Sequence, residues 1–279
     1  MMSKTWLITG ISSGFGMALA HQLLEQGEIV IGTVRKENAK VKELEAKFPN
    51  TLDVQHLDVT NVDEIRSVVE NTVEKRNKID VLINNAGYGL FGAAEELSDG
   101  DIDQIMATNL TGSIQMIRAV LPYMRTQQNG RIIQISSYGG QVAYPGNSMY
   151  HATKFGIEGF CESVAQEVAP FNIKVSIIEP GGARTEFRYG SAHVANLMPE
   201  YDNTPTHAFL KMLDPANGLA PGDPEKMATR IIEVANSDKA PLHVVLGSQA
   251  LFATIDRLTE RLNEYKGETE IAASTDVKD

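Results

Sequence analysis

A doubly wound α/β domain on a parallel sheet follows from three features of this sequence. Short β-branched runs alternate with amphipathic helical segments along nearly the whole chain, the pattern of repeated βαβ units. A glycine-punctuated turn, Gly10 to Gly16, joins the first strand to the first helix. The 279 residues, 42% of them hydrophobic, suffice for one sizeable core but not for two comfortable domains.

Residues 5–9 read as a short buried strand, and residues 17–26 as a helix with Leu19, Leu23 and Leu24 on a buried stripe. Residues 28–34 give a second strand, completing a βαβ unit with a right-handed crossover. A helix over 41–48, a strand over 54–59, a helix carrying Val62, Ile65, Val69 and Val73, and a strand at 81–83 continue the alternation. One long helix is expected from about 101 to 125, with Ile102, Ile105, Met116 and Val120 on one stripe. Strands at 131–136, 174–179 and 243–246 and a helix over 150–168 complete the pattern. Residues 186–223 are irregular and rich in Pro, Gly, Met and aromatics, the composition of a lid. A further helix is expected over 248–265. Residues 1–265 then form one domain, followed by a flexible polar tail over 266–279.

Lys and Arg number 25 against 36 Asp and Glu, a net charge of −11 without basic runs, so neither nucleic acid nor an anionic membrane is an expected partner. No apolar run is long enough to span a bilayer, and the chain leads straight into a strand rather than a leader segment. The lone Cys161 leaves no internal disulfide and fits a reducing cytoplasm; on a helix it reads as a small packed hydrophobe. His21, His56, His151, His193, His207 and His243 are scattered without ligand-like spacing, so no metal is expected.

In a βαβ unit the glycines of the turn have separate tasks. Gly10 permits the tight turn, Gly14 lets backbone approach a pyrophosphate, and Gly16 allows helix to pack on strand, with phosphates at the helix N-terminus. The spacing is G-x3-G-x-G, and a glycine turn without a ligand is the alternative. After the second strand stand Arg35 and Lys36, where a carboxylate would select the ribose 2′-hydroxyl of NAD. Arg35 instead suits the 2′-phosphate of NADP(H), with Ser12 as a further donor; otherwise the two bases simply open a solvated helix. Tyr150 and Lys154 are four apart and share one helical face. An ammonium beside a phenol pulls its pKa below about 10, making Tyr150 a candidate general acid or base.

With the glycine turn and Tyr150-x3-Lys154, the run Asp80-Val81-Leu82-Ile83-Asn84-Asn85-Ala86-Gly87 strongly resembles the short-chain dehydrogenase/reductases in their single-domain, Rossmann-type branch, over roughly residues 4–247. The resemblance implies that Ser12, Ser13 and Phe15 line the cofactor with the glycines. Asp58 and Val59 would border the adenine, and Asn84, Asn85, Ala86 and Gly87 would steady the sheet beside its ribose. Pro180, Gly181 and Thr185 would lie near the carboxamide. It further implies that Ser137 positions a carbonyl oxygen, Tyr150 exchanges its proton, Lys154 binds the nicotinamide ribose, and Asn109 holds a relay water. Two departures stand out. Ser13 occupies the place of a base before Gly14, and His151 is bulky beside Tyr150, although at i+1 it should point away from the reaction.

The implied activity is interconversion of a hydrophobic ketone or aldehyde with its alcohol. The lid residues Phe187, Tyr189, Leu197, Met198, Tyr201, Phe209, Leu210, Met212 and Leu213 would form an apolar roof, and Tyr88, Leu90, Phe91, Gln141, Val142 and Tyr144 the walls. The same residues would also pack a lid that carries no substrate. Locally the chain is similar to hydroxysteroid and retinol dehydrogenases. Family likeness also implies a homodimer or homotetramer built on the long helix around Asn109 and the helix after Tyr150. A cofactor-sensing protein that keeps the fold without turnover is the alternative, and it would be expected to lose Tyr150 or Lys154, both present here.

Overall fold

In the computed structural model, residues 3–277 are described, with Arg188, Tyr189 and Asn217 described in backbone only. The chain runs β1 (Thr5–Thr9), α1 (Gly14–Glu25), β2 (Ile29–Val34), α2 (Ala39–Lys47), β3 (Leu52–His56), α3 (Val62–Arg76), β4 (Val81–Asn84), β5 (Leu90–Phe91) and α4 (Asp99–Ile105). It continues through α5 (Ser113–Gln127), β6 (Gly130–Ile135), α6 (Ser148–Val168), β7 (Ile173–Pro180), α7 (Glu186–Tyr189), β8 (His193–Val194), α8 (Pro205–Leu210), α9 (Pro224–Asn236), β9 (His243–Leu246), α10 (Ser248–Lys266) and α11 (Thr269–Ser274).

Seven strands form one sheet in the order β3-β2-β1-β4-β6-β7-β9, every pair parallel. Thr5 to Thr9 of β1 pair with Ile29 to Thr33 on one side, and Trp6 to Ile8 with Val81 to Ile83 on the other. Because side chains alternate across a strand, β1 feeds both cores. Trp6 and Ile8 join Leu19 and Leu23 of α1 and Ile231 of α9, whereas Leu7 joins Ile65 of α3, Met116 and Val120 of α5, and Ile157 of α6. Cys161 is a fully buried member of the second cluster. The strand order reverses between β1 and β4, and the crevice at their carboxyl ends is where such sheets bind ligands. No helix among the described residues is long and apolar enough to cross a membrane.

Several expectations are corrected. The expected single helix over 101–125 is α4, then a π-helical stretch Met106–Gly112, then α5. A Cβ on Gly112 would lie 2.6 Å from the Val59 carbonyl oxygen, so the wider turn forms where the helix is pressed against the strand-to-helix loop. The expected strand 54–59 sits earlier, as β3. Leu57 and Val59 are buried beyond its end, so their apolar character marks the core rather than the ladder. Helix α9 was not anticipated. Asp223 caps it by accepting from Glu225 and Lys226 N–H, Pro224 opens it, and Met227, Ala228, Ile231, Ile232 and Ala235 are its buried face. Part of the expected flexible tail is helical, as α11, with none of its residues buried; Lys278 and Asp279 lie outside the described residues.

Candidate active site

The glycine turn is built as a cradle. Gly10 and Gly14 have φ of 75° and 55°, left-handed conformations that favour glycine. A Cβ on Gly16 would lie 2.1 Å from the Gly10 carbonyl oxygen, so only hydrogen fits and α1 presses directly on the turn. From the loop just after β4, the Asn85 Nδ2 donates to the Thr9 and Gly10 carbonyls, 3.0 Å each, while the Asn85 and Ala86 N–H groups both donate to Thr9 Oγ1 at 3.0 Å. Asn84 ties the sheet below, donating to the Ser113 carbonyl at 2.9 Å and Gln134 Oε1 at 3.1 Å.

At the start of α1, Ser13 makes no side-chain cap and no acidic residue stands in the first turn. An uncapped helix start behind a glycine turn favours an anion, so these residues fit a dinucleotide pyrophosphate. A Cβ on Gly14 would lie 3.5 Å from Thr185, which brings the loop after β7 to the same cradle. Ser12 contributes its carbonyl to Asn38 Nδ2 at 2.9 Å, joining the turn to the start of α2, and Phe15 packs on the core. Gly181 donates its N–H to the Leu246 carbonyl at 2.8 Å, and its surroundings leave 2.9 Å between an added Cβ and Ala250, so α10 buttresses the Pro180-Gly181 segment.

Arg35 is exposed at the end of β2 and stands near Asp58. The Thr60 N–H, at 2.9 Å, chiefly holds the Asp58 carboxyl below its ordinary range, with Arg35 assisting. The Val59 side chain packs inward against Gly112 in the second core cluster.

Ser137, Tyr150 and Lys154 converge at the end of β6. Lys154 is 6% exposed; its Nζ donates to the Ile135 carbonyl at 3.1 Å and lies 5.6 Å from the Tyr150 ring centre. Ser137 accepts from the Gly139 N–H at 3.0 Å, and its hydroxyl also serves as hydrogen-bond partner to the Tyr150 phenol. The expectation of a lowered Tyr150 pKa is not met in this state. Burial pushes the phenol up to about 12; the Ser137 bond opposes this and the Glu158 charge reinforces it. Burial likewise brings Lys154 down to about 8, against the pull of Glu158. Desolvation therefore sets the direction at both groups.

Asn109 is fully engaged. Its Oδ1 accepts the Tyr88 N–H at 3.0 Å and its Nδ2 donates to the Tyr88 carbonyl at 2.8 Å. The side-chain amide is thus a satisfied buried group that fixes the loop after Gly87. The Asn109 backbone lies in the π-helical stretch.

Sequence reasoning missed three supports. His151 bonds Gly139 O through Nδ1 at 2.7 Å and accepts the Tyr144 N–H on Nε2 at 3.0 Å, so it shapes the loop bearing Ser137. Glu158, one turn beyond Lys154, is buried with Ser136 Oγ at 2.5 Å and Gln141 Nε2 on its two oxygens. Glu179 is buried beside it, bonded to His243 at 2.7 Å, so Glu158, Glu179 and His243 form a compact group despite their separation in sequence. A lone acid closing the apolar run Val175 to Ile178 was the signal available for Glu179. Glu96 anchors the lid, accepting from the Ala93 N–H and the Met198 N–H, both at 2.6 Å, and bonding His207 at 2.7 Å.

Over Tyr150 the lid contributes Phe187, ring centres 5.8 Å apart, and Phe209 stacks between Phe91 and Tyr144. Of the expected walls, Leu90, Phe91 and Val142 are buried, whereas Gln141 is spent on Glu158. Leu197 and Met212 face solvent rather than the roof, 49% and 43% exposed, and the side chain of Tyr189 lies outside the described residues. A cavity of about 290 Å³ opens beneath Tyr138 and Tyr144, bounded by Gly181, Gly182, Gly222 and the start of α10. A larger hollow of about 540 Å³ between β3 and α3 is lined by Asp53, Gln55, His56 and Glu64 and is remote from Tyr150.

A family profile described as short chain dehydrogenase matches residues 4–193. The chain is 36% identical over 260 residues to 3-ketodihydrosphingosine reductase of Bacteroides thetaiotaomicron, covering 91% of this chain and 92% of that protein. Among solved structures, a short-chain dehydrogenase from Streptomyces avermitilis superposes with a TM-score of 0.91 at 35% identity, over 99% of this chain and 100% of the other. A structure described as ElxO with NADP bound gives a TM-score of 0.71 at 26% identity, over 88% and 96% of the two chains.

Proposed function

The chain belongs to the short-chain dehydrogenase/reductase family of oxidoreductases, and on that premise we propose that it reduces a hydrophobic ketone or aldehyde with NADPH, the reverse oxidation being the same chemistry run backwards. The observation that carries this reading is the convergence of Ser137, Tyr150 and Lys154 under Phe187. Bound NADPH would supply the hydride. The Tyr150 phenol, protonated at neutral pH, gives its proton to the carbonyl oxygen, and Ser137 hydrogen-bonds that oxygen and the phenol together. Lys154, anchored on the Ile135 carbonyl, presents a cation at neutral pH and holds the nicotinamide ribose. The backbone of Asn109 leads a relay water toward Lys154.

A phenol raised to about 12 is protonated at neutral pH, the form from which reduction of a carbonyl starts. The stacked Phe91, Phe209 and Tyr144 support an apolar substrate, as does a relative named for reducing a keto compound. Arg35, with no carboxylate in its place, supports NADP(H), and Gly10, Gly14, Gly16, Asn85 and Thr185 support the pyrophosphate and nicotinamide ends. A cytoplasmic enzyme acting as a homodimer or homotetramer completes the proposal; the single buried Cys161 fits a reducing compartment.

The test is NADPH consumption by the purified protein over carbonyls from small polar to bulky apolar. Turnover rising with apolar bulk is the expected result, and no turnover with any carbonyl would sink the reading. For the cofactor, Arg35→Ala is expected to weaken NADPH about ten- to a hundredfold while NADH is nearly unaffected, since a hydrogen bond to a charged group contributes about 1.5–3 kcal/mol. Titration of both nucleotides by fluorescence measures this, and equal losses for the two would remove Arg35 from the 2′-phosphate site.

A further inference from the structure

Helix α10 presents its apolar side to solvent. It sits on the domain through Ala250, Ala253, Thr254 and Arg261, small or polar residues at helical spacing, of which Ala250 and Thr254 are buried. Arg261 lies over the Phe155 ring at 5.8 Å. The adjacent stripe of Leu251, Ile255, Leu258, Leu262 and Tyr265, flanked by Phe252, is 43–64% exposed. Half of the chain's exposed large hydrophobics, six of twelve among the described residues, lie on this one helix, and α5 and α6 carry none.

We infer that α10 is a self-association surface, pairing antiparallel with α10 of a second copy of this chain. The stripe is spaced 4-3-4-3, the seam of a two-helix contact. It is also close to palindromic. A two-fold axis near Leu258 sets Leu258 beside its own copy, Ile255 opposite Leu262, and Leu251 opposite Tyr265, so one patch complements itself as an isologous interface requires. From ordinary side-chain areas the six residues expose on the order of 600 Å², large for a monomer. Two copies would bury roughly 1,200 Å², the lower bound for a stable specific interface.

Charge permits a copy and disfavours lipid. Asp256, Glu260 and Glu264 balance Arg257, Arg261 and Lys266, so the helix is locally neutral within a chain of net −11. Arg257 is already paired with Glu260 and Glu264 at 3.2 and 3.5 Å and Arg261 lies over Phe155, so Lys266 alone is what the helix offers anionic headgroups. Helix α11 does not cover the stripe, since the exposures above hold with it in place.

Leu258→Glu tests the inference, measured by sedimentation equilibrium of the full chain. The side chain is exposed, so folding should persist, with an unchanged thermal midpoint as the check. The expected result is loss of one two-fold association, halving the mass of the assembly. Leu258→Cys and Glu260→Cys, oxidised with copper–phenanthroline, give the positional test. The introduced thiol at 258 should join two chains within minutes, the one at 260 on the opposite face should not, and buried Cys161 does not compete. A wild-type monomer, an unchanged mass in Leu258→Glu, or equal linkage at 258 and 260 would overturn it. So would flotation of the wild type on phosphatidylglycerol vesicles that Leu258→Glu abolishes, which would make the stripe a lipid face.

Discussion

Tyr150→Phe is expected to lower turnover by roughly two to four orders of magnitude, the usual effect of losing a general acid. That is about 3–5 kcal/mol of barrier. The substitution removes one hydroxyl and leaves the ring that meets Phe187 at 5.8 Å and His151 at 6.0 Å, so the site keeps its shape. NADPH affinity should hold, because the cradle of Gly10, Gly14 and Gly16 does not involve the phenol. The cost to stability should be near 1 kcal/mol, the net worth of the bond to Ser137. Single-turnover kinetics and a nucleotide titration separate the two effects. A variant that keeps its rate would remove Tyr150 from the chemistry. One that loses rate and nucleotide together would point to a collapsed site instead.

Glu158→Gln is expected to gain stability over the wild type as pH rises from about 4.5 to 8. Burial pushes the Glu158 carboxyl up to about 7 from its ordinary 4.5; the Ser136 bond opposes this, and the Glu179 charge reinforces it. A carboxyl raised on folding contributes stability while it stays protonated, fully below 4.5, and loses that contribution as pH climbs through 7. The loss is roughly 3 kcal/mol at most, and glutamine does not titrate. Glutamine can keep both neighbours, its carbonyl accepting from Gln141 Nε2 and its amide donating to Ser136 Oγ. The facing charges of Glu179, His243 and Lys154 remain in both proteins, so the difference between their chemical-denaturation curves isolates Glu158. A difference that does not vary with pH would mean that Glu158 is ionised throughout.

The alternation of strands and helices was legible because a parallel sheet buried on both faces demands continuous apolar strands. Trp6, Leu7 and Ile8 serve two cores at once. The cradle and Tyr150 with Lys154 were legible for a different reason: their constraints are local, a turn or one helical face. What escaped depends on contacts between distant segments. The π-helical stretch around Asn109 answers to the pressure of Val59 on Gly112, which no periodicity in 101–125 reveals. Glu158, Glu179 and His243 come from α6, β7 and β9 and meet only when the sheet closes. Desolvation escaped as well. Four-residue spacing puts Lys154 beside Tyr150, but only the depth of the pair determines that the phenol rises rather than falls. The surface was least legible of all, because heptad spacing in α10 reads equally as a buried stripe until its neighbours are seen to lie on the other side.

The clasp between Asn109 and Tyr88 has a consequence for the timing of motion. Backbone amides in irregular loops ordinarily trade their protons with water quickly, since no ladder shields them. The Tyr88 amide is an exception, given to an oxygen on a side chain that is 1% exposed. Its proton can leave only when Asn109 lets go, which requires the helix junction and the loop after Gly87 to part. Deuterium uptake at this one amide therefore clocks the parting of that loop from the helix junction, separately from the slower unfolding of the sheet beneath it.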